Sequence, residues 1–90
     1  MYIIKKSTQF KKDYKKIINN NSKKEDLKKV LEFLLLWKEL PNKYFNHQLK
    51  WRYLWYMECH IRPDLLLIYK IHNNELILSL FRIWTHSELF

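Results

Sequence analysis

Glycine is missing altogether from the 90 residues of this chain, where the usual 7% would supply about six. Its absence removes the backbone loops that cradle nucleotide phosphates. It also removes the glycine-flanked nucleophile turn of serine hydrolases, so Ser87 has no setting for that chemistry. Cysteine occurs once, as Cys59; no intrachain disulfide is possible and a reducing compartment fits. One cysteine, and no ligand pair of the Cys-x2-Cys or His-x3-His kind, make zinc the weaker chemical reading. Acidic residues are scarce, 9 against 17 Lys and Arg, for a net charge of +8. Such an excess points to a polyanion, with RNA or DNA first, an acidic protein second and an anionic membrane surface third. Long apolar runs are lacking too: the stretch from Leu31 to Trp37 is interrupted by Glu32 and stops at Lys38. No signal peptide or spanning helix is expected, and the reading is a soluble cytoplasmic protein of one domain, residues 1–90.

What is present organises itself as α+β. Tyr2-Ile3-Ile4-Lys5 reads as a short strand. Ser7 is placed to cap a helix whose face recurs at Phe10, Tyr14, Ile17 and Ile18, with Lys11, Lys12, Lys15 and Lys16 on the other side. Asn19-Asn20-Asn21 breaks it. Ser22-Lys23-Lys24-Glu25 has the form of a capping box opening a second helix, with Leu27, Val30, Leu31, Leu34 and Leu35 as its apolar stripe. The segment from Leu40 to His47 reads as a loop and Gln48 to Tyr56 as a strand of uncertain register. Leu65 to Ile71 is nearly all apolar, as a central strand covered on both faces would be. Asn73-Asn74 suits a two-residue hairpin turn into a last strand from Leu76 to Ile83, which would oppose His72 to Glu75 and Leu65 to Arg82. The expected fold is an N-terminal strand and two helices packed on an antiparallel sheet of three or four strands.

The chemistry gathers around Glu58-Cys59-His60-Ile61-Arg62-Pro63-Asp64. Strand alternation puts Met57, Cys59 and Ile61 on one face and Glu58, His60 and Arg62 on the other, and Pro63-Asp64 makes a tight turn that brings Asp64 to the end of the strand carrying His60. A lone histidine is by default structural or exposed, and His72 keeps that default. His47, His60 and His86 fall instead near strand ends or loops, in company with Asp64 and Arg82. Histidines trade protons near neutral pH and an arginine suits a phosphate, so this grouping fits acid and base chemistry on a phosphodiester.

These segments resemble a known family. Phe10 to Lys16, Leu40-Pro41 with Tyr44, Asn46-His47-Gln48-Leu49-Lys50, Glu58 to Lys70, and Arg82 with Thr85-His86-Ser87-Glu88-Leu89-Phe90 are similar, in order and spacing, to the YafQ-type branch of the RelE/ParE toxin superfamily. The resemblance implies a RelE-like microbial ribonuclease fold. It implies the toxin half of a type II toxin-antitoxin pair, checked by a cognate acidic antitoxin and acting on mRNA and ribosomal RNA surfaces in the ribosomal A site. It places His47, His60, Asp64 and His86 in the catalytic site, with Arg82, Lys50 and Phe90 on phosphate or base, and no metal or other cofactor. Phe90 has an alternative as a chain end tucked into the core. The rival from the same superfamily is a non-catalytic ParE-like inhibitor of DNA gyrase.

Tryptophan is as abundant as glycine is scarce. Trp37, Trp51, Trp55 and Trp84 all stand where the family pattern leads one to expect glycine: after the second helix, twice between Lys50 and Glu58, and just before Thr85-His86. UGA codons, which some bacterial lineages read as glycine, would produce this pattern if translated as tryptophan. Real tryptophans packed as hydrophobic surface are the alternative.

Overall fold

A computed structural model describes residues 2–50 and 53–85 of the chain. The elements are β1 (Ile3–Lys6), α1 (Thr8–Ile17), α2 (Asn21–Leu35), a 3-10 turn (Asn42–Tyr44), β2 (His47–Gln48), β3 (Met57–Arg62), β4 (Leu65–His72) and β5 (Ile77–Thr85). The strands form one sheet in the order β1-β5-β4-β3-β2. The expected antiparallel meander β3-β4-β5 is its centre. The first strand adds to the far edge, where β1 runs parallel to β5 with Ile3 beside Ile77, making the sheet mixed.

Both helices start where a side chain accepts a backbone N–H that the helix itself cannot use. Ser7 accepts from the Phe10 N–H at 2.8 Å, as its position foretold, and donates its own hydroxyl to the carbonyl of Phe81 at 2.6 Å. The second helix departs from expectation. Asn20, two residues ahead of Ser22, is the cap and accepts from the Lys23 N–H at 3.0 Å, while the Ser22 hydroxyl accepts from Arg62 at 2.8 Å. Phe10, Ile17, Leu27, Val30 and Leu34 bury against Cys59, Ile61, Leu65, Leu67, Tyr69, Leu78, Leu80 and Ile83. Ile18, placed on the apolar face by the helical period, falls just past α1 and is exposed.

Three strand expectations change. Among its described residues, the segment 48–56 is not one strand: β2 ends at Gln48, and Tyr53 to Tyr56 is a turn closed by the Tyr56 N–H on the Tyr53 carbonyl at 3.0 Å. The β4–β5 connection is a four-residue turn, Asn73 to Leu76, so His72 opposes Ile77. That length frees the Leu76 carbonyl to accept from the Ile3 N–H at 2.7 Å, which docks β1. A bulge then leaves Phe81 as the extra residue, so Arg82 opposes Ile68 and Thr85 opposes Leu65. Arg82 is therefore three residues along β4 from the Pro63-Asp64 turn, not beside it.

Positive φ angles occur at Trp37 (59°), Phe45 (47°), Trp55 (82°) and Leu76 (54°). In this region an L-residue crowds its own Cβ against the backbone. Trp37 follows α2 in a motif closed by the Lys38 N–H on the Phe33 carbonyl (2.9 Å) and the Trp37 N–H on the Leu34 carbonyl (3.3 Å). This is the helix ending that glycine ordinarily serves.

Candidate active site

The site is built on β3. Its burial alternates as the sequence pattern requires, Cys59 and Ile61 buried and Glu58, His60 and Arg62 half-buried. Residues opposite one another across strands share a face, so Glu58 and Ile68 pair in one row and His60 and Leu66 in the next. Leu66 and Ile68 are buried although they stand outside the helix-packed core, so this second face is covered as well. β2 contributes His47 opposite Glu58.

His47 and His60 are thereby brought together, their rings 6.5 Å apart. His47 donates from Nδ1 to the Phe45 carbonyl at 2.7 Å, and its Nε2 lies 3.2 Å from Glu58 Oε1. A carbonyl and a carboxylate both accept, so the doubly protonated ring satisfies both contacts and the neutral ring only one. Glu58, which the sequence reading left unassigned, is thus the residue that orients His47. Phe45 meets His60 edge to face, with ring centroids 5.5 Å apart. Asp64 sits exposed in the two-residue turn between β3 and β4, at the strand end that carries His60. Lys50 is exposed beyond β2. His86 and Phe90 lie outside the described residues.

Arg82 is held from below. Its Nε and Nη2 donate to the two oxygens of Asp13 at 3.1 and 3.0 Å, and its guanidinium lies 4.6 Å from the centre of the Trp84 indole. Asp13 is 2% exposed and accepts also from Gln9 and from the Ile83 N–H, each at 3.0 Å. Burial pushes its carboxyl up. The hydrogen bonds from Arg82, Gln9 and Ile83, together with the Arg82 charge, outweigh that and leave it below 3.8. Sequence reasoning missed this carboxylate among its lysine neighbours. The available signal was phase, since position 13 falls between Phe10 and Ile17 on the buried stripe of α1.

Burial and the adjacent Glu58 charge push the Cys59 thiol up to about 12, which removes it as a nucleophile. Burial raises Tyr69 as well, with Cys59 adding to the rise and the hydrogen bond to Asn46 opposing it. A cleft of about 530 Å³ opens between α2, the 3-10 turn and β3, lined by Lys29, Lys43, Phe45, His60 and Arg62 among others. Arg62 is tied there to Asp26 at 3.0 Å. Among the described residues no group of three or more His, Cys, Asp or Glu is arranged to hold a metal ion, and no helix is long and apolar enough to cross a membrane.

A two-helix, five-stranded sheet of this form is the architecture of a group of bacterial toxins. A metal-bound toxin from Helicobacter pylori is 41% identical with a TM-score of 0.89, each chain covering all of the other. The Escherichia coli DinJ-YafQ complex contains a chain 32% identical with a TM-score of 0.85, over 100% of this chain and 99% of that one. The mRNA interferase toxin YafQ of Escherichia coli strain B / BL21-DE3 is 33% identical over 88 residues, 97% of this chain and 94% of the relative. The profile of the bacterial toxin of type II toxin-antitoxin system, YafQ, matches residues 2–90, and the chain belongs to that family.

Proposed function

We propose that this toxin is a ribosome-dependent mRNA endoribonuclease that works by metal-independent acid and base catalysis. The observation that carries the reading is the placement of His47 and His60 side by side on β2 and β3, with Asp64 in the turn that ends β3. The relatives named mRNA interferases support it. In the reaction the ribose 2′-oxygen forms a bond to the adjacent phosphorus as the bond from phosphorus to the 5′-oxygen breaks, leaving a 2′,3′-cyclic phosphate and a 5′-hydroxyl. His60 with Asp64 receives the proton of the 2′-hydroxyl. His86 delivers a proton to the departing 5′-oxygen, and His47 faces the charge that builds on the phosphate. Lys50 and Phe90 contact phosphate and base. Arg82, seated on Asp13, contributes positive charge from β5. Like its relative in the DinJ-YafQ complex, the toxin pairs with an antitoxin, here one acidic enough to match a charge of +8.

Primer extension on a message under translation tests the proposal. Cleavage by the wild type should fall at least 100-fold in His60→Ala and in His86→Ala, with melting temperatures unchanged. Message left intact by the wild type, with DNA gyrase inhibited instead, would transfer the chain to the gyrase-directed reading.

A further inference from the structure

The acid and base groups leave Phe45 unexplained. It is a large apolar side chain 66% exposed, on a backbone with φ 47° that disfavours any residue with a Cβ. Nothing in core packing repays that conformation. The backbone is nevertheless fixed: the Phe45 N–H donates to the Asn42 carbonyl at 3.0 Å, its carbonyl accepts from His47, and the preceding Tyr44 is buried against Phe33. The effect is to present an aromatic ring beside His60, in a cleft also lined by Lys29 and Lys43. A fixed, exposed ring flanked by cations is how single-stranded nucleic acids are held, bases on the ring and phosphates on the charges. Backbone strain at an exposed position is also a recurrent mark of a binding site.

We propose that Phe45 is a base-stacking residue that seats the nucleobase beside the reacting phosphate and so determines which nucleotide is accepted there. The proposal rests on the ribonuclease reading for its substrate. The probe is a short single-stranded RNA carrying 2-aminopurine, titrated against the full chain as wild type, Phe45→Tyr and Phe45→Leu. All three keep the same backbone burden and differ in aromaticity. Wild type and Phe45→Tyr should quench the probe, whereas Phe45→Leu should bind about tenfold more weakly without quenching and should shift the map of cleaved codons. Equal binding and quenching by Phe45→Leu overturns the proposal, even if messages are still cleaved. Quenching that depends on the ring, in a wild type that cleaves nothing, supports stacking and removes the ribonuclease reading instead. If Phe45→Leu weakens only the complex with an acidic protein partner, the ring is a protein contact and the proposal fails.

A different observation carries a second inference. Among the described residues, Trp37 and Trp55 stand at backbone positions made for glycine. Trp37 is the left-handed residue after α2. Trp55, at φ 82°, is third in the turn closed by Tyr56 on Tyr53, the position at which a type II turn calls for glycine. Their indoles gain little there, being 59% and 68% exposed. Trp84 adds a cost of another kind, since its buried Nε1 has no hydrogen-bond partner among the described residues. Phe45 and Leu76 also take positive φ, so the angle alone decides nothing. Its combination with a chain that has four tryptophans and no glycine does. We infer that positions 37 and 55, and with them 51 and 84, are glycine in the protein its host makes, from UGA codons read as glycine.

The gene and an intact mass from the host test this directly. UGA at codons 37 and 55, with a mass lower by the tryptophan-to-glycine exchanges, supports it; UGG at either codon overturns it. Stability gives an independent reading. Trp37→Gly should melt about 5 °C above Trp37→Ala, and Trp55→Gly above Trp55→Ala by as much, because alanine keeps the Cβ that glycine lacks. Alanine variants as stable as the glycine ones would overturn the inference.

Discussion

Asp13 joins α1 to β5 through Arg82 and the Ile83 N–H. Its side chain is 1% exposed and that of Arg82 24%, so the pair is shielded enough for its loss to leave a buried charge uncompensated. Asp13→Asn should therefore lower stability by about 3 kcal/mol in urea unfolding at pH 7. The sign of the pH dependence follows from the lowered carboxyl. A group with a depressed folded value stabilises fully above its unfolded value and loses that contribution as pH falls through the folded one. The gap between wild type and Asp13→Asn should thus narrow progressively below pH 3.8, the ordinary value of the group. A gap equally wide at pH 3 would mean that shape, not charge, holds the contact. At this scale the sequence was only partly legible. His60 and Cys59 were separated correctly by strand alternation, because one period governs both. Asp13 was hidden because a single acid among Lys11, Lys12, Lys15 and Lys16 looks like surface until its phase on the helix is weighed against its charge.

Elements were legible where a side-chain period or a cap spoke alone. Ser7 and the stripe beginning at Phe10 located α1, and the apolar run of β4 announced a strand buried on both faces. Where two local signals competed, the weaker-looking one won. The capping-box pattern at Ser22 is present, yet Asn20 begins the helix one half-turn earlier, and Ser22 is left to meet Arg62 from β3. Asn20→Ala should accordingly cost about 1 kcal/mol in urea unfolding, and Ser22→Ala less than half of that, since it removes an exposed hydrogen bond and no cap. An equal or larger loss for Ser22→Ala would return the cap to Ser22. The β4–β5 turn was misjudged for a reason outside the hairpin. Asn73-Asn74 could turn alone, but a longer connection lets the Leu76 carbonyl accept from Ile3, a partner 73 residues away in a chain with no local trace of the pairing. The bulge at Phe81 has a similar origin: it lets Leu80 and Ile83 both bury while Arg82 reaches Asp13.

Across the molecule the polar and apolar halves of β3 divide the labour. Cys59 and Ile61 close the core under the helices, while His60 and Arg62 furnish the cleft edge and Glu58 holds His47. Lysines on the outer sides of α1 and α2 supply a general attraction to polyanions without choosing among them. The parallel pairing of β1 with β5 has a further consequence, concerning the order in which the protein is made. Ile3 and its neighbours emerge first yet have no partner until Ile77 to Leu80 follow, and the Asp13 carboxylate has no guanidinium until Arg82 is added. Contacts so distant along the chain form late. A chain stopped before β5 therefore leaves β1 without its neighbour in the sheet and the Asp13 carboxylate without the guanidinium that meets it in the finished fold. The fold closes only once nearly the whole message has been read.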